Sequence, residues 1–163
     1  MNIKIKKHSL FYKSYKLKCS IGKSGISAKK KEGDSATPKG KFKIGMLYYR
    51  NDRIKNLKCK IKKKIIKKNM GWCDDSRSKK YNCEIKFPFK YGAEKLYRRD
   101  SRYDLFIEIK YNKKPVIKYK GSAIFLHIAN KNFKATKGCV AILKKDFIKM
   151  IPYMTKNTKI LIN

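Results

Sequence analysis

Residues 2–6, NIKIK, alternate apolar and charged side chains, the period-two pattern of a strand that buries one face. Residues 15–22, YKLKCSIG, repeat it, so the chain is expected to begin as sheet. Two glycines and Pro38 punctuate 29–42, which reads as a turn-rich loop delivering the chain into a strand at 41–49. Residues 50–70 carry a lysine run that suits either a solvated strand pair or an exposed connector, and 71–82, GWCDDSRSKKYN, reads as a polar loop around the single tryptophan. Further strands are expected at 84–89 and at 103–112, YDLFIEIKYN, where the alternation is cleanest. The continuous apolar run SAIFLHIA at 122–129, bounded by Gly121 and Asn130, has the pattern of a buried strand, and GCVAIL at 138–143 is a short second one. Helical spacing occurs once, at 144–154, where Phe147, Ile148 and Ile151, with Met150 beside them, form an apolar side and Pro152 ends the helix early. TKILIN at 158–163 closes as a strand. About eight short strands and one short C-terminal helix predict a mostly β domain, a β-sandwich or barrel-like fold.

Length changes this picture little: 163 residues, 42% of them hydrophobic, are enough for one core, so 1–163 is expected to be a single domain. Charge changes it more. A formal net charge of +34 must attract polyanions, which makes a basic nucleic-acid-binding domain the main alternative to an enzyme, with eleven tyrosines and eight phenylalanines as possible stacking platforms. Two observations weigh against it. Lysine outnumbers arginine 39 to 6, whereas phosphate recognition favours the arginine fork. The aromatics also fall mostly where strands would bury them, and no RNA- or DNA-binding signature is visible. No segment approaches the roughly 18–20 uncharged apolar residues of a membrane helix. The N-terminal residues lack the apolar centre and small-residue cleavage site of a signal peptide. Five cysteines, with no Cys-x-x-Cys pair, suggest neither a closed disulfide framework nor a zinc site, and at least one thiol is left free. Cys73 and Cys83 are the pair able to close a loop disulfide in an exported protein.

Against this lysine background, one of only two histidines, His127, ends an apolar run, and Cys139 follows twelve positions later between a glycine and a valine. A thiol is a nucleophile as thiolate, and a nearby imidazole is the usual means of deprotonating it at neutral pH. Two strands joined by the 130–137 loop would bring the pair together, and Gly138 would let a substrate backbone approach. Packing accounts for the same residues, since a histidine beside a buried strand and a cysteine among apolar neighbours are ordinary core residues. Trp72, Asp74 and Asp75 are similarly open: an aromatic with carboxylates can seat a sugar or an ammonium group, and an Asp pair can simply follow a packed tryptophan in a turn. Asp104 reads as a structural strand opener, and His8 as plain surface.

The arrangement His127…Thr136-Lys137-Gly138-Cys139-Val140 resembles the active-site signature of the L,D-transpeptidase (YkuD-type) catalytic-domain family. EGDSATPKGKF is similar to that family's Thr-Pro-x-Gly-x-Phe segment, and GWCDD, YDLFIEIKYN and GSAIFLHIA to blocks of one branch of it. These blocks occur in the right order and cover the chain from about Leu17 to its end.

The resemblance implies action on peptidoglycan stem peptides, with Cys139 attacking the carbonyl between diaminopimelate and the terminal D-alanine and His127 carrying the protons. It implies an oxyanion hole from the N–H groups of Gly138 and Cys139 with Lys137, substrate contacts near Thr136, susceptibility to β-lactams of the carbapenem type, and neither metal nor cofactor. A monomer is expected. The His-to-Cys loop is shorter than in many relatives, and the arginine often found after the cysteine is absent, which leaves Arg98, Arg99 or Arg102 to stand in. The implied substrate matures outside the cytoplasmic membrane while no leader is visible, so the compartment stays open.

Overall fold

The computed structural model describes residues 2–28 and 31–163. Lys29 and Lys30, the first two residues of the expected 29–42 loop, lie outside the described residues. The chain opens as a meander of β1 (Asn2–Lys6), β2 (Ser9–Tyr12) and β3 (Tyr15–Lys18), followed by a two-residue ribbon of β4 (Ile26–Ser27) with β5 (Thr37–Pro38). The ten-residue β6 (Gly40–Tyr49) comes next, then β7 (Lys63–Ile65), β8 (Met70–Cys73), β9 (Glu84–Lys86) and β10 (Ala93–Lys95). The site strands are β11 (Leu105–Ile109), β12 (Phe125–Ile128) and β13 (Val140–Ile142). Helix α1 (Lys144–Met150), a 3-10 turn at Ile151–Tyr153 and β14 (Lys159–Ile162) complete the chain.

One mixed sheet runs in the order β13-β12-β11-β6-β14-β1-β2-β3. Its long member β6 pairs with β11 through Ile44–Tyr49 and with β14 through Gly40–Lys43, while β7 adds in parallel at Leu47–Tyr49. The two ends of this path meet. Just beyond β3, Ser20 exchanges two backbone hydrogen bonds with Ala141 of β13, at 2.8 and 2.9 Å. The sheet is therefore a nearly closed barrel in a mostly β domain, as expected, and closure leaves β13 without a free edge there. Gly22 sits on the same seam, where a Cβ would lie 2.2 Å from the Ser35 carbonyl oxygen, so only glycine lets the chain pass at this point.

Alternation within the strands sorts side chains into two cores. Leu105, Ile107 and Ile109 of β11, Leu126 and Ile128 of β12, and Val140 and Ile142 of β13 join the main aliphatic core with Phe147, Met150 and Ile151. The intervening positions face the other way. Phe106 and Phe125 pack with Tyr48, Trp72, Tyr103 and Cys139 in a second, aromatic cluster, in which Phe106 stacks on Tyr48 at 4.7 Å and meets Phe125 in a tilted contact at 4.6 Å between ring centroids. These rings are buried, so they offer no stacking platform to a nucleic acid base.

Several elements differ from the sequence expectation, for identifiable reasons. Residues 71–73 are not loop but part of β8, buried throughout and paired with β9 and β10, because Trp72 goes into the aromatic cluster. The β11 alternation does not mark a solvated face: all five residues are buried, with Glu108 bridged to Lys113 at 3.1 Å, since the small β8–β10 sheet covers the side opposite the aliphatic core. The strand expected at 15–22 stops at Lys18 and continues only as isolated bridges at Ser20 and Gly22. The 50–70 stretch is a connector that buries Ile54, Leu57, Ile61 and Ile66 and contributes only β7 to the sheet. In α1, Phe147 and Met150 face the core, whereas Ile148 is exposed, and Pro152 turns the chain into the 3-10 segment. Cys73 and Cys83 oppose each other across β8 and β9, the Cys73 N–H bonding the Cys83 carbonyl at 2.9 Å, and both are free thiols.

Candidate active site

Parallel pairing of β12 with β13 sets Leu126 against Val140 and His127 against Ala141. On that register Cys139 stands beside Phe125, on the same face as His127 two residues further along, a diagonal neighbour within reach of an aromatic side chain. Both line one cavity of about 920 Å³, together with Glu32, Asp74, Glu94, Arg102 and Tyr103 and the 134–137 turn. Of the residues singled out in the sequence, Thr136, Lys137, Asp74 and Arg102 also reach this cavity.

Cys139 is 8% exposed and closes the aromatic cluster from above. Its thiol donates to the Ala123 carbonyl at 3.2 Å and accepts the Phe125 N–H at 3.3 Å. Ala123 meets the thiol only because it adopts a left-handed backbone, φ 50°, which is unusual for alanine. Asn82 holds it there. The buried Asn82 amide oxygen accepts the Ala123 N–H at 3.1 Å and the Trp72 indole N–H at 3.0 Å, while its NH₂ donates to the Tyr111 and Asn112 carbonyls at 3.1 and 2.8 Å. Asn82 itself has φ 56°, a conformation asparagine tolerates better than other side chains. Asn82→Ala is expected to destabilise the protein by about 2–4 kcal/mol, since it orphans several buried groups, and to lower the rate of thiol acylation as Ala123 relaxes. Chemical denaturation and acylation kinetics read the two effects.

His127 is 4% exposed, and its Nδ1 lies 2.9 Å from the Ile128 carbonyl oxygen. A carbonyl only accepts, so Nδ1 carries the proton and Nε2 keeps its lone pair. Burial pulls the imidazole pKa down to about 4, partly opposed by the Ile128 hydrogen bond, with Arg102 and Arg98 lowering it further. At neutral pH the ring is therefore an uncharged base. Tyr103 stands edge-on to it at 5.5 Å and donates its phenol O–H to Glu94 in a 2.9 Å hydrogen bond. Burial raises the Tyr103 pKa well above the usual value, with the neighbouring Cys139 and Glu94 acting in the same direction.

The turn before the thiol is held from within. Thr136 Oγ1 accepts the Gly138 N–H at 3.1 Å and donates to the Cys139 carbonyl at 2.6 Å, and the Thr136 backbone is bonded to Ile21 and Lys23 on the closing seam. Gly138 has φ 129°, outside the range of other residues, so the glycine is required for the turn. Its N–H is spent on Thr136, which removes it from the expected set of oxyanion donors.

Three other expectations are displaced. Trp72 is 2% exposed in the aromatic cluster, with its indole N–H on Asn82, and forms no part of the cavity wall. Asp75 is taken up by Arg77 at 2.7 Å and by the Gly92 N–H, which holds its carboxyl well below the usual range. Arg99 is exposed and does not line the cavity, and Arg98 is paired to Asp100 over the Tyr103 ring, so Arg102 alone of the three arginines is on the wall. Asp104 is ion-paired to Arg53 at 2.9 Å, consistent with a structural residue, and His8 is on the surface. Among the described residues no cluster of three or more histidine, cysteine or carboxylate groups is placed to hold a metal, and no helix is long and apolar enough to cross a membrane.

Residues 3–162, nearly the whole chain, match the family model of the L,D-transpeptidase catalytic domain, YkuD. The chain belongs to the L,D-transpeptidase family. No curated protein and no solved structure matches it. Membership makes this an acyl-transferring domain of a family that acts on peptidoglycan peptides. Within an L,D-transpeptidase, Asn82, Tyr103, Glu94 and Ser122 are the site residues that sequence reasoning overlooked. Tyr103 opens a block that was recognised, but nothing in the local pattern shows that its ring meets an imidazole from another strand.

Proposed function

We propose that this L,D-transpeptidase is a single catalytic domain that cleaves the diaminopimelate–D-alanine bond of a tetrapeptide stem through a thioester on Cys139. The observation that supports it most is that Cys139 and His127 share one strand face and one cavity, with the imidazole tautomer fixed so that Nε2 is the basic atom. The resting pair is thiol and neutral imidazole.

As Sγ bonds to the stem carbonyl carbon, its proton moves to His127 Nε2. The C–N bond then breaks, the same proton passes to the departing D-alanine nitrogen, and the thioester remains. An amine from a second stem, or water, attacks the thioester carbon and gives its proton to Nε2, which returns it to the leaving sulfur. The developing oxyanion falls to the N–H groups of Cys139 and Lys137, since that of Gly138 is committed to Thr136. Arg102 is the cation available for a substrate carboxylate, in place of the arginine missing after the cysteine.

Incubation with a tetrapeptide stem is expected to release D-alanine, and a carbapenem is expected to add its full mass to Cys139 by opening of the lactam ring. Intact-protein and peptide mass spectrometry read both. Absence of D-alanine release together with absence of any adduct would defeat the proposal. Tight, salt-sensitive oligonucleotide binding in the same preparation would favour the polyanion alternative.

A further inference from the structure

The carboxylates of this chain are unevenly distributed. Ten of the eleven Asp and Glu residues fall between positions 32 and 108, Asp146 is the eleventh, and residues 1–31 and 147–163 contain none. Those two acid-free segments supply β1, β2, β3 and β14, which lie side by side and join the first half of β6. Alternation sends Ile3, Ile5, Leu10, Ile160 and Ile162 of these strands into the aliphatic core, and the residues between them face outward. The strand registers set Lys16, Phe11, Lys4, Leu161 and Lys41 in one row across five strands, a line about 19 Å long at the usual strand spacing. Lys18, Ser9 and Lys6 form the row on one side of it, and Lys159 stands opposite Lys43 on the other. The lysines of these rows are exposed except Lys159, which is half-buried like Phe11 and Leu161. None of them has an ion-pair partner among the described residues, whose ion pairs all lie between residues 50 and 113. Like charges directly opposite each other across a sheet, as Lys43 and Lys159 are, weaken it, and an external anionic surface would offset that cost.

We propose that the outer face of the β3-β2-β1-β14-β6 part of the sheet docks the protein on an anionic lipid bilayer. The docking face is separate from the chemistry at Cys139 and does not rest on it. Each lysine held near an anionic membrane strengthens binding roughly fivefold, through the diffuse field of the headgroups and not through contact geometry. These strands carry lysine and no arginine, and a compact ammonium suits a field that imposes no geometry. The flexible lysine stems also let amines from a curved sheet reach one plane. Phe11 and Leu161, on either side of Lys4, add apolar contact for the boundary between headgroups and acyl chains. A linear polyanion fits less well. Single-strand binding relies on a groove with a series of stacking rings, whereas these rows contain one ring, Phe11, and Lys16 Nζ already stands 6.0 Å from its centre.

Sedimentation of the full chain with vesicles of equal parts phosphatidylglycerol and phosphatidylcholine is expected to carry the protein down at low salt and far less of it at high salt, while pure phosphatidylcholine vesicles carry none. Lys4→Gln, Lys16→Gln, Lys41→Gln and Lys43→Gln together should weaken partitioning at least about a hundredfold. Lys58→Gln, Lys60→Gln, Lys62→Gln and Lys68→Gln, at exposed positions of the 50–70 connector, remove the same charge and should weaken it no more than about tenfold. Acetylation footprinting of the unsubstituted protein gives a second reading that no folding defect can disturb: vesicles should protect Lys4, Lys16 and Lys41 and leave Lys58 and Lys60 reactive. Equal losses in the two variants, or equal protection of the two sets, would mean that overall charge and not this face binds, and would overturn the proposal. Absence of binding to the anionic vesicles would do the same. So would a face variant that keeps vesicle binding and loses binding to soluble polyphosphate, which would assign the face to a linear polyanion. Face-specific vesicle binding by a protein that releases no D-alanine would sustain the docking face while defeating the transpeptidase mechanism.

Discussion

Cys139→Ala is expected to abolish D-alanine release and the β-lactam adduct together, leaving a protein that still folds. The loss should be complete within detection, because among the described residues no other sulfur lines the cavity and water attack without the thioester has no activated nucleophile at hand. The fold should survive. The substitution removes a single sulfur with its hydrogen bonds to Ala123 and Phe125, at the rim of a cluster whose mass lies in Phe106, Phe125, Trp72 and Tyr48. A thermal melt beside the mass spectrum checks both halves of the statement. An adduct that persists in Cys139→Ala would place the nucleophile elsewhere. Cys139→Ser tests the activation argument: it keeps the hydrogen-bond geometry but replaces the thiol by a poorly acidic hydroxyl, and acylation should fall nearly as far.

Replacing His127 is expected to have the next largest effect, and the pH dependence tells why. His127→Gln removes the base, and acylation should drop between about a hundredfold and ten-thousandfold. In the wild-type protein the active form of the imidazole is the neutral one. With its pKa pulled from 6.5 to about 4, acylation should hold through pH 6.5 and fall only as the pH passes through about 4. A break near 6.5 would mean that the ring is solvated and that burial does not tune it. The same shift acts on stability. The unfolded chain takes up the proton at 6.5 and the folded protein only near 4, so the contribution is fully present above pH 6.5 and is lost as the pH falls through this window. A shift of this size corresponds to about 3 kcal/mol. His127→Gln should therefore flatten the stability profile between pH 6.5 and 4, which denaturant titrations at a series of pH values will show.

These two residues were legible before any fold was known, but only through the ordered blocks around them. Taken by themselves, His127 at the end of an apolar run and Cys139 between glycine and valine fitted core packing equally well. The second chance for the sequence lay in GWCDD, and there it divided. Asp74 reaches the cavity, while Asp75 turns back to Arg77 and Trp72 is drawn under the site. Asp74 and Asp75 lie just past the end of β8, where the chain leaves the sheet, and which of them looks into the cavity depends on the segments packed around that turn. That information is not local. Tyr103, Glu94, Asn82 and Ser122 escaped for the same reason: each acts on the site through a partner at least nine positions away or through a wall shared with other segments.

Alternation of apolar and polar residues determined that the chain is sheet, where most strands lie, and that a short helix stops at Pro152. The order of its motifs determined the family. Tertiary structure decided which alternating strands are covered on both sides, as the small β8–β10 sheet covers β11, and it decided that the barrel closes between Ser20 and Ala141. It also decided the chemistry available to the pair. An imidazole pKa depends on desolvation and a tautomer on the carbonyl that one ring nitrogen meets, and both are set by atoms brought together from across the sheet.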